Sequence, residues 1–270
     1  ITVCLRPFRA AGPRLDLEMV ARKRVVHNYG HGGSGWSLAW GSGAIATANA
    51  MQGGTRDVAV IGCGAIGLTT AILLQEAGAR VTIYAKERIA DTRSARASGT
   101  WSPDSRIADR AGMLADFPKL WEGMARASWA RHLTYAGLPG EPVLWRDLYL
   151  LRDAVRPVSA SPMEPVDFAH FPGTLRDLVP RSRPLAAHEH PFPVPNARVV
   201  PSMTFNIAAL SHRLLTDFLM GGGRVEPMTF HSPADIGRLP QPVVVNCTGY
   251  GARALWRDET VVPVRGQIAW

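Results

Sequence analysis

The chain has 270 residues, enough for one large α/β unit or two modest domains around a filled core. Apolar residues make up 46% and charged residues 19%, which excludes a disordered chain, and the 26 glycines follow no triplet period. The net charge is +8, but only Lys23, Lys86 and Lys119 are lysines; the 27 arginines are spread without a basic block or a stacking aromatic pattern, so nucleic acid is not an expected partner.

Residues 1–52 are Gly-rich. Val25-Val26 runs into the turn from His27 to Gly35, and a helix is predicted from Trp36 to Met51. Gly53-Gly54-Thr55-Arg56 reads as a linker. Asp57–Ile61 is predicted as a buried strand, Ala65–Ala77 as a helix stopped by Gly78, and Arg80–Tyr84 as a second strand. A polar loop over 88–110 precedes a predicted helix from Phe117 to Ala136. From Gly137 to Pro201 the chain is Pro-rich, with a strand expected over Val143–Leu151 and loops or short elements over 157–195. Phe205–Met220 is predicted as a helix ended by three glycines, and Val243–Asn246 as a buried strand leading into Cys247-Thr248-Gly249. No internal repeat is visible.

Three widely spaced cysteines, Cys4, Cys63 and Cys247, exclude a disulfide scaffold; Cys63 and Cys247 read as small packed residues at strand ends. The uncharged apolar stretch Val58–Leu74 is broken by three glycines, so no membrane span is expected. His188-Glu189-His190 fits no common metal spacing, and no metal is expected. The tryptophans at 121, 129 and 145 read as core. The chain begins at Ile1 and ends at Trp270 with no signal segment or targeting tripeptide, and it is expected to be a piece of a longer one whose compartment and oligomeric state stay open.

The strongest local signal is Gly62-Cys63-Gly64-Ala65-Ile66-Gly67, set between a predicted strand and helix with a second strand following. Gly62 permits a tight turn, Gly64 lets backbone N–H groups approach a pyrophosphate, and Gly67 lets helix and sheet pack closely. The helix N-terminus adds positive partial charge, and Glu87, at the end of the second strand, is placed to accept ribose hydroxyls. This pattern points to a dinucleotide. The second cluster, Gly30-His31-Gly32-Gly33-Ser34-Gly35, opens another helix and suits an electron-rich ring, which favours FAD over NAD.

Several strings together resemble the D-amino-acid oxidase family: V-A-V-I-G-C-G-A-I-G-L-T-T-A (58–71), V-V-V-N-C-T-G (243–249), V-R-G-Q-I (264–268), L-R-P-F-R (5–9) and V-V-H-N-Y-G-H-G-G-S-G (25–35), with weaker matches over 81–87 and 97–103. In that family the R-P-x-R and H-N-Y-G-H-G-G strings follow R-G-Q-I, whereas here they precede the nucleotide motif. The order resembles a circular permutation in which residues 50–56 join the family's last helix to its first strand. The family segment between the R-G-Q-I and R-P-x-R strings, with its tyrosines over the substrate, is absent; its expected place is after Trp270.

The resemblance implies an α/β fold: a Rossmann-like FAD-binding domain of the glutathione-reductase type, with an α+β substrate domain of mixed sheet that is incomplete here. Residues 1–52 would be a permuted segment completing the FAD domain, 53–110 the FAD domain itself, 111–205 mostly substrate domain, and 206–270 a return to the FAD domain. It further implies an FAD-dependent oxidase converting D-amino acids and oxygen to 2-oxo acids, ammonia and hydrogen peroxide, by hydride transfer from the substrate Cα to flavin N5. Oxidases of glycine, D-aspartate or other amines, and a flavin-binding relative without oxidase activity, stay open as alternatives.

Carried over position by position, Arg6 would pair with the substrate carboxylate and the Gly33 carbonyl would accept its amine. Gly62, Gly64, Ala65, Ile66 and Gly67 would hold the dinucleotide, with Lys86, Glu87 and Phe230 at the adenosine end. Thr92, Arg93 and Ser94 would meet the pyrophosphate, and Ser98, Gly99 and Thr100 the isoalloxazine. Gly32, Ser34, Gly35, Trp36 and Ser37 would line the flavin edge, where a side chain at 32 or 33 is expected to occupy the space of the ring. His31 reads as an acid, a base or a plain cofactor contact.

Overall fold

In the computed structural model the described residues are 2–152 and 166–268; the loop expected over 157–165 lies outside them. In chain order the elements are β1 (Thr2–Phe8), β2 (Leu17–Val20), β3 (Lys23–His27), α1 (Gly35–Met51), β4 (Asp57–Ile61), α2 (Ala65–Glu76), β5 (Arg80–Ala85), α3 (Phe117–Leu133), β6 (Val143–Arg152), β7 (Arg183–Leu185), β8 (Asn196–Phe205), α4 (Ile207–Met220), β9 (Arg224–Pro227), β10 (Val243–Asn246), α5 (Ala252–Leu255) and β11 (Val262–Ile268). The main sheet has the order β2-β3-β10-β4-β5-β9, parallel except for β2 on one edge. Two smaller sheets, β6-β8-β7 and β1-β11, are antiparallel.

A parallel sheet is covered on both faces, so its strands read as continuous apolar runs. The strand β10 is V-V-V-N with every residue buried. Alternate residues divide between the faces. Val58, Val60, Val81, Ile83, Val243 and Val245 join one core with α1, α2 and α4 residues such as Trp40, Leu68 and Phe218. Val25, Ala59, Ile61 and Val244 face the other way, covered by Ile236, Leu239 and Trp256.

The segment 2–52 is built into this core. The strand β3 pairs with β10 from Arg24↔Val243 to His27↔Asn246, and β10 pairs on its other side with β4. The helix α1 is buried from Trp36 through Gly43 because α2 and α3 both pack on it. Thr69 Oγ1 donates to the Ala39 carbonyl at 3.2 Å, and Asn28 Nδ2 donates to Thr70 Oγ1 at 3.1 Å. At Gly41 the approach to α3 is so close that a Cβ would collide with the Met124 backbone, while Gly41 N–H donates to Ser128 Oγ at 2.8 Å.

Several expectations need correction. Phe205 does not start a helix: it ends β8, its N–H donating to the Gly99 carbonyl, and Asn206 caps α4 by accepting from Ala209 N–H at 3.3 Å. The ten-residue strand β8 is hidden in sequence by its proline and by half-exposed positions. The helix α3 stops at Leu133, after which Thr134, Tyr135 and Ala136 each bond three residues back in a tightened last turn. Trp121 and Trp129 are core, but Trp145 is 42% exposed because β6 is the edge of a thin sheet.

Gly41→Ala is expected to destabilise the fold by about 1–3 kcal/mol through forced separation of α1 from α3, read as a lower urea midpoint at constant slope.

Candidate active site

A cavity of about 820 Å³ opens at the carboxyl ends of the parallel strands, where Ile61 of β4, Ala85 of β5 and Cys247 after β10 reach its wall. Ligands of such sheets bind there because strand ends and helix N-termini converge on one crevice. Two helices begin on this cavity. The cap of α2 is Gly64 and that of α1 is Ser34; neither makes a side-chain cap bond, and neither first turn carries an acidic residue. Both therefore present the positive partial charge of a helix start to an electron-rich ligand.

Glycines shape the floor. Gly62 sits at φ +107, and a Cβ there would stand 2.6 Å from the Cys247 carbonyl oxygen. A side chain at Gly67 would collide with the Gly62 carbonyl, so the turn and the helix touch at backbone level. At Gly64 a Cβ would meet Ser94 Oγ at 2.9 Å; that hydroxyl accepts from Ala65 N–H at 3.0 Å, and the Ser94 carbonyl accepts from Trp36 Nε1 at 2.9 Å. One serine thus ties both helix starts together.

The second Gly cluster corrects an expectation. A side chain at Gly32 would collide with the Arg106 carbonyl, and one at Gly33 would meet Ser105 Oγ at 2.6 Å. The space these glycines leave is filled by the 105–106 loop of this chain, which accepts the Gly33 N–H at 2.8 Å. At Gly35, by contrast, nothing lies within 4 Å of an added Cβ, and this residue lines the cavity.

The structure brings most of the expected residues together. Arg6, Gly32, Gly33, Gly35 and Trp36 line one part of the cavity, with Gly62, Gly64, Ala65 and Ile66 along its floor. Lys86, Glu87 and Phe230 lie at its wall, as do Thr92, Arg93, Ser94 and Ser98. Five expected residues lie behind the lining. Gly67 packs on Gly62. Ser34 Oγ donates to the Ser105 carbonyl at 3.1 Å, and Ser37 Oγ accepts from Ser102 N–H at 2.9 Å. Gly99 packs on the Phe205 carbonyl, and Thr100 bridges to Thr204.

Sequence reasoning missed Thr248, Tyr250, Arg96 and Met228, all on the lining. The Arg93 guanidinium stands 4.8 Å from the Tyr250 ring centre. Thr248 lies in a string that was singled out, so the strand-to-turn rule applied to β4 would have found it at the end of β10; Arg96 and Tyr250 carry no such signal.

The ionisation states follow from burial. Burial lowers the pKa of Arg6, and the neighbouring Arg106 lowers it further against a smaller opposing effect of Cys4. His31 is buried, its Nε2 has no hydrogen-bond partner among the described residues, and desolvation holds it neutral down to about pH 3. Burial pushes Cys63 to about 11 and Cys247 to about 12, so both stay protonated thiols. Lys86 and Glu87 form an exposed pair at 3.6 Å.

A nucleotide-type turn, two uncapped helix starts and one shared cavity define a dinucleotide-dependent α/β protein. The chain belongs to the DAO family of FAD-dependent oxidoreductases, whose model matches residues 57–270. It is 32% identical over 213 residues to the D-amino-acid oxidase of Streptomyces coelicolor, covering 78% of this chain and 58% of that protein. It is 30% identical over 214 residues to the D-amino-acid oxidase of Rubrobacter xylanophilus, covering 77% of this chain and 57% of that one. The chain therefore spans less than two thirds of the length of these curated relatives. Among solved structures, the L-amino acid deaminase from Proteus vulgaris is similar at a TM-score of 0.41 and 16% identity, over 64% of this chain and 40% of its own. No helix among the described residues is long and apolar enough to cross a membrane.

The residues present fit FAD. The open faces at Gly35 and Gly249 leave room against the backbone, and no acidic side chain guards either helix start.

His31 makes the fold acid-sensitive. The unfolded chain takes up this proton near pH 6.5 and the folded chain only near 3, so the stabilisation is complete above 6.5 and is lost as the pH falls toward 3. Between pH 7.5 and 5 the contribution shrinks by about 2 kcal/mol. His31→Gln should flatten the acid limb of urea-derived stability by that amount; an unchanged limb would place the titration elsewhere.

Proposed function

We propose that the protein is an FAD-dependent oxidase of the D-amino-acid oxidase type, converting D-amino acids with oxygen and water to 2-oxo acids, ammonia and hydrogen peroxide. The observation that carries this reading is Arg6: a half-buried guanidinium on the wall of the cavity that holds the nucleotide turn, with no carboxylate in ion-pair distance among the described residues. The names of the curated relatives agree with it.

Bound FAD supplies the two-electron acceptor. The chain's own groups position the substrate. Arg6 takes both carboxylate oxygens in its planar fork, and the Gly33 carbonyl takes the amine, which together orient the Cα hydrogen. Lys86, Glu87 and Phe230 hold the adenosine; Thr92, Arg93 and Ser94, with the start of α2, hold the pyrophosphate. Gly32, Gly35, Trp36 and Ser98 contact the flavin, with Ser34, Ser37, Gly99 and Thr100 fixing the loops behind them. Burial holds His31 in its uncharged form.

Residues 1–52 are read as the family's C-terminal segment placed ahead of its first strand. Their integration through β3 and α1 supports this, as does a family match that begins only at residue 57. The exposed Gly53-Gly54 turn joins the two parts.

The cofactor is expected to be non-covalent. Acid precipitation should release the yellow colour into the supernatant, and colour kept in the pellet would contradict this. Arg6→Ala is expected to raise KM for the D-amino acid substrate at least thirtyfold at unchanged FAD content, since losing one partner of a buried charged pair costs about 2–5 kcal/mol. An unchanged KM would remove Arg6 from the site.

A further inference from the structure

Tyr250 is held in place from the core outwards. Asn246, the buried last residue of β10, accepts through Oδ1 from the Thr248 N–H at 3.2 Å and from the Thr248 hydroxyl at 2.8 Å. The Thr248 carbonyl accepts in turn from Gly251 N–H at 2.9 Å, which closes a turn over 248–251. Tyr250 stands inside that turn. It packs against the buried cluster of Tyr29, Ala252 and Val261 and still lines the cavity.

Arg93 lies over this ring. Its guanidinium carbon stands 4.8 Å from the ring centre, and Nη1 donates to the Leu5 carbonyl of β1 at 3.4 Å. The strand β1 packs on both the 93–96 and the 249–251 turns, so three segments of the cavity wall meet at this side chain. The next residue, Ser94, accepts from Ala65 N–H at 3.0 Å, which anchors the 93–96 turn beside the positive end of α2.

The Arg93 charge has no counter-ion from the chain. The acidic residues on the lining are Glu87 and Glu259, engaged by Lys86 and Arg253, and no carboxylate stands in ion-pair distance of Arg93 among the described residues. A helix start and a guanidinium thus share one stretch of wall without an anion between them. The tyrosine ring is a weak partner by comparison, but it acts differently from a carboxylate. It covers the flat face of the guanidinium and leaves the N–H groups at its edge free to donate. Five donors lie in that plane, Leu5 takes one, and a neighbouring pair can close on two phosphate oxygens at once.

We infer that Tyr250 is a positioning residue for the cofactor diphosphate: its ring holds the plane of Arg93 so that the guanidinium edge meets a diphosphate at the start of α2. Tyr250 acts through Arg93 and makes no bond to the diphosphate itself. The inference rests on the pyrophosphate placement proposed above and adds the residue that orients its arginine.

The test uses the full chain with FAD bound. The dissociation constant is read from the flavin released on dilution and separated by ultrafiltration, in sodium chloride from about 0.05 to 0.5 M. Arg93→Gln is expected to weaken FAD binding about tenfold and to flatten its salt dependence, and Tyr250→Leu to weaken it about fivefold with the same flattening. Tyr250→Phe keeps the ring and should bind FAD as the wild type does. In the Arg93→Gln background Tyr250→Leu should add nothing, because its route to the ligand is gone. An equal loss from Tyr250→Leu in both backgrounds would overturn the inference, since the tyrosine would then act by itself. Wild-type affinity in Tyr250→Leu, or the same loss in Tyr250→Phe, would also overturn it. Should Tyr250→Leu fail to fold, Tyr250→His sets an imidazolium against Arg93 at low pH. Its loss relative to wild type is then expected to shrink between about pH 5 and 8, and a loss independent of pH would overturn the inference. If Arg93→Gln binds FAD with wild-type affinity and salt dependence, the pyrophosphate placement itself fails and the inference falls with it. Bleaching of the bound flavin by D-amino acids decides the oxidase reading separately.

Discussion

The structure depends on the double pairing of β10. Its four buried residues hydrogen-bond to β3 on one side and to β4 on the other, so a strand near the end of the sequence sits between two from its first quarter. The main-chain groups of a buried strand have no water to turn to, and leaving one side unpaired would strand half of its polar backbone inside the core. Occupation of that side by β3 draws α1 onto α2 and α3, and α1 in turn sets the Gly-rich turn against the cavity. The site is therefore a consequence of sheet completion.

Two kinds of close contact then shape the cavity. On the side of α2, Gly62 and Gly67 allow backbone to touch backbone, which brings the helix start to the strand ends. On the side of α1, Gly32 and Gly33 make room for the 105–106 loop, not for a ligand, while Gly35 keeps the open face. Ser94 joins the two sides through one hydroxyl and one carbonyl. Ser34 and Ser37 behind the lining are matched with protein partners, and both helix starts face the cavity without an acidic side chain in their first turns.

Charge is distributed with the same economy. Most acidic groups among the described residues are engaged by arginines, as in Arg80–Asp57 and Arg126–Asp177, whereas Arg6 on the cavity wall lacks such a partner among those residues. The buried His31 and the thiols of Cys63 and Cys247 are neutral by desolvation and add no charge to this region.

The sequence by itself determined the strand–turn–helix of residues 57–76, the buried run of β10 and the helix of 35–51, because each is a local pattern of apolar period and glycine punctuation. It also determined the nucleotide turn, whose glycine spacing is a local pattern and whose Gly67 packs on Gly62 within the motif itself. Only the tertiary structure decided that Phe205 ends a strand, that Trp145 faces solvent, and that Gly33 yields to Ser105, since each depends on a partner more than fifty residues away in sequence. A side chain's neighbours across the fold have no local signature, and charge pairing is set by those neighbours.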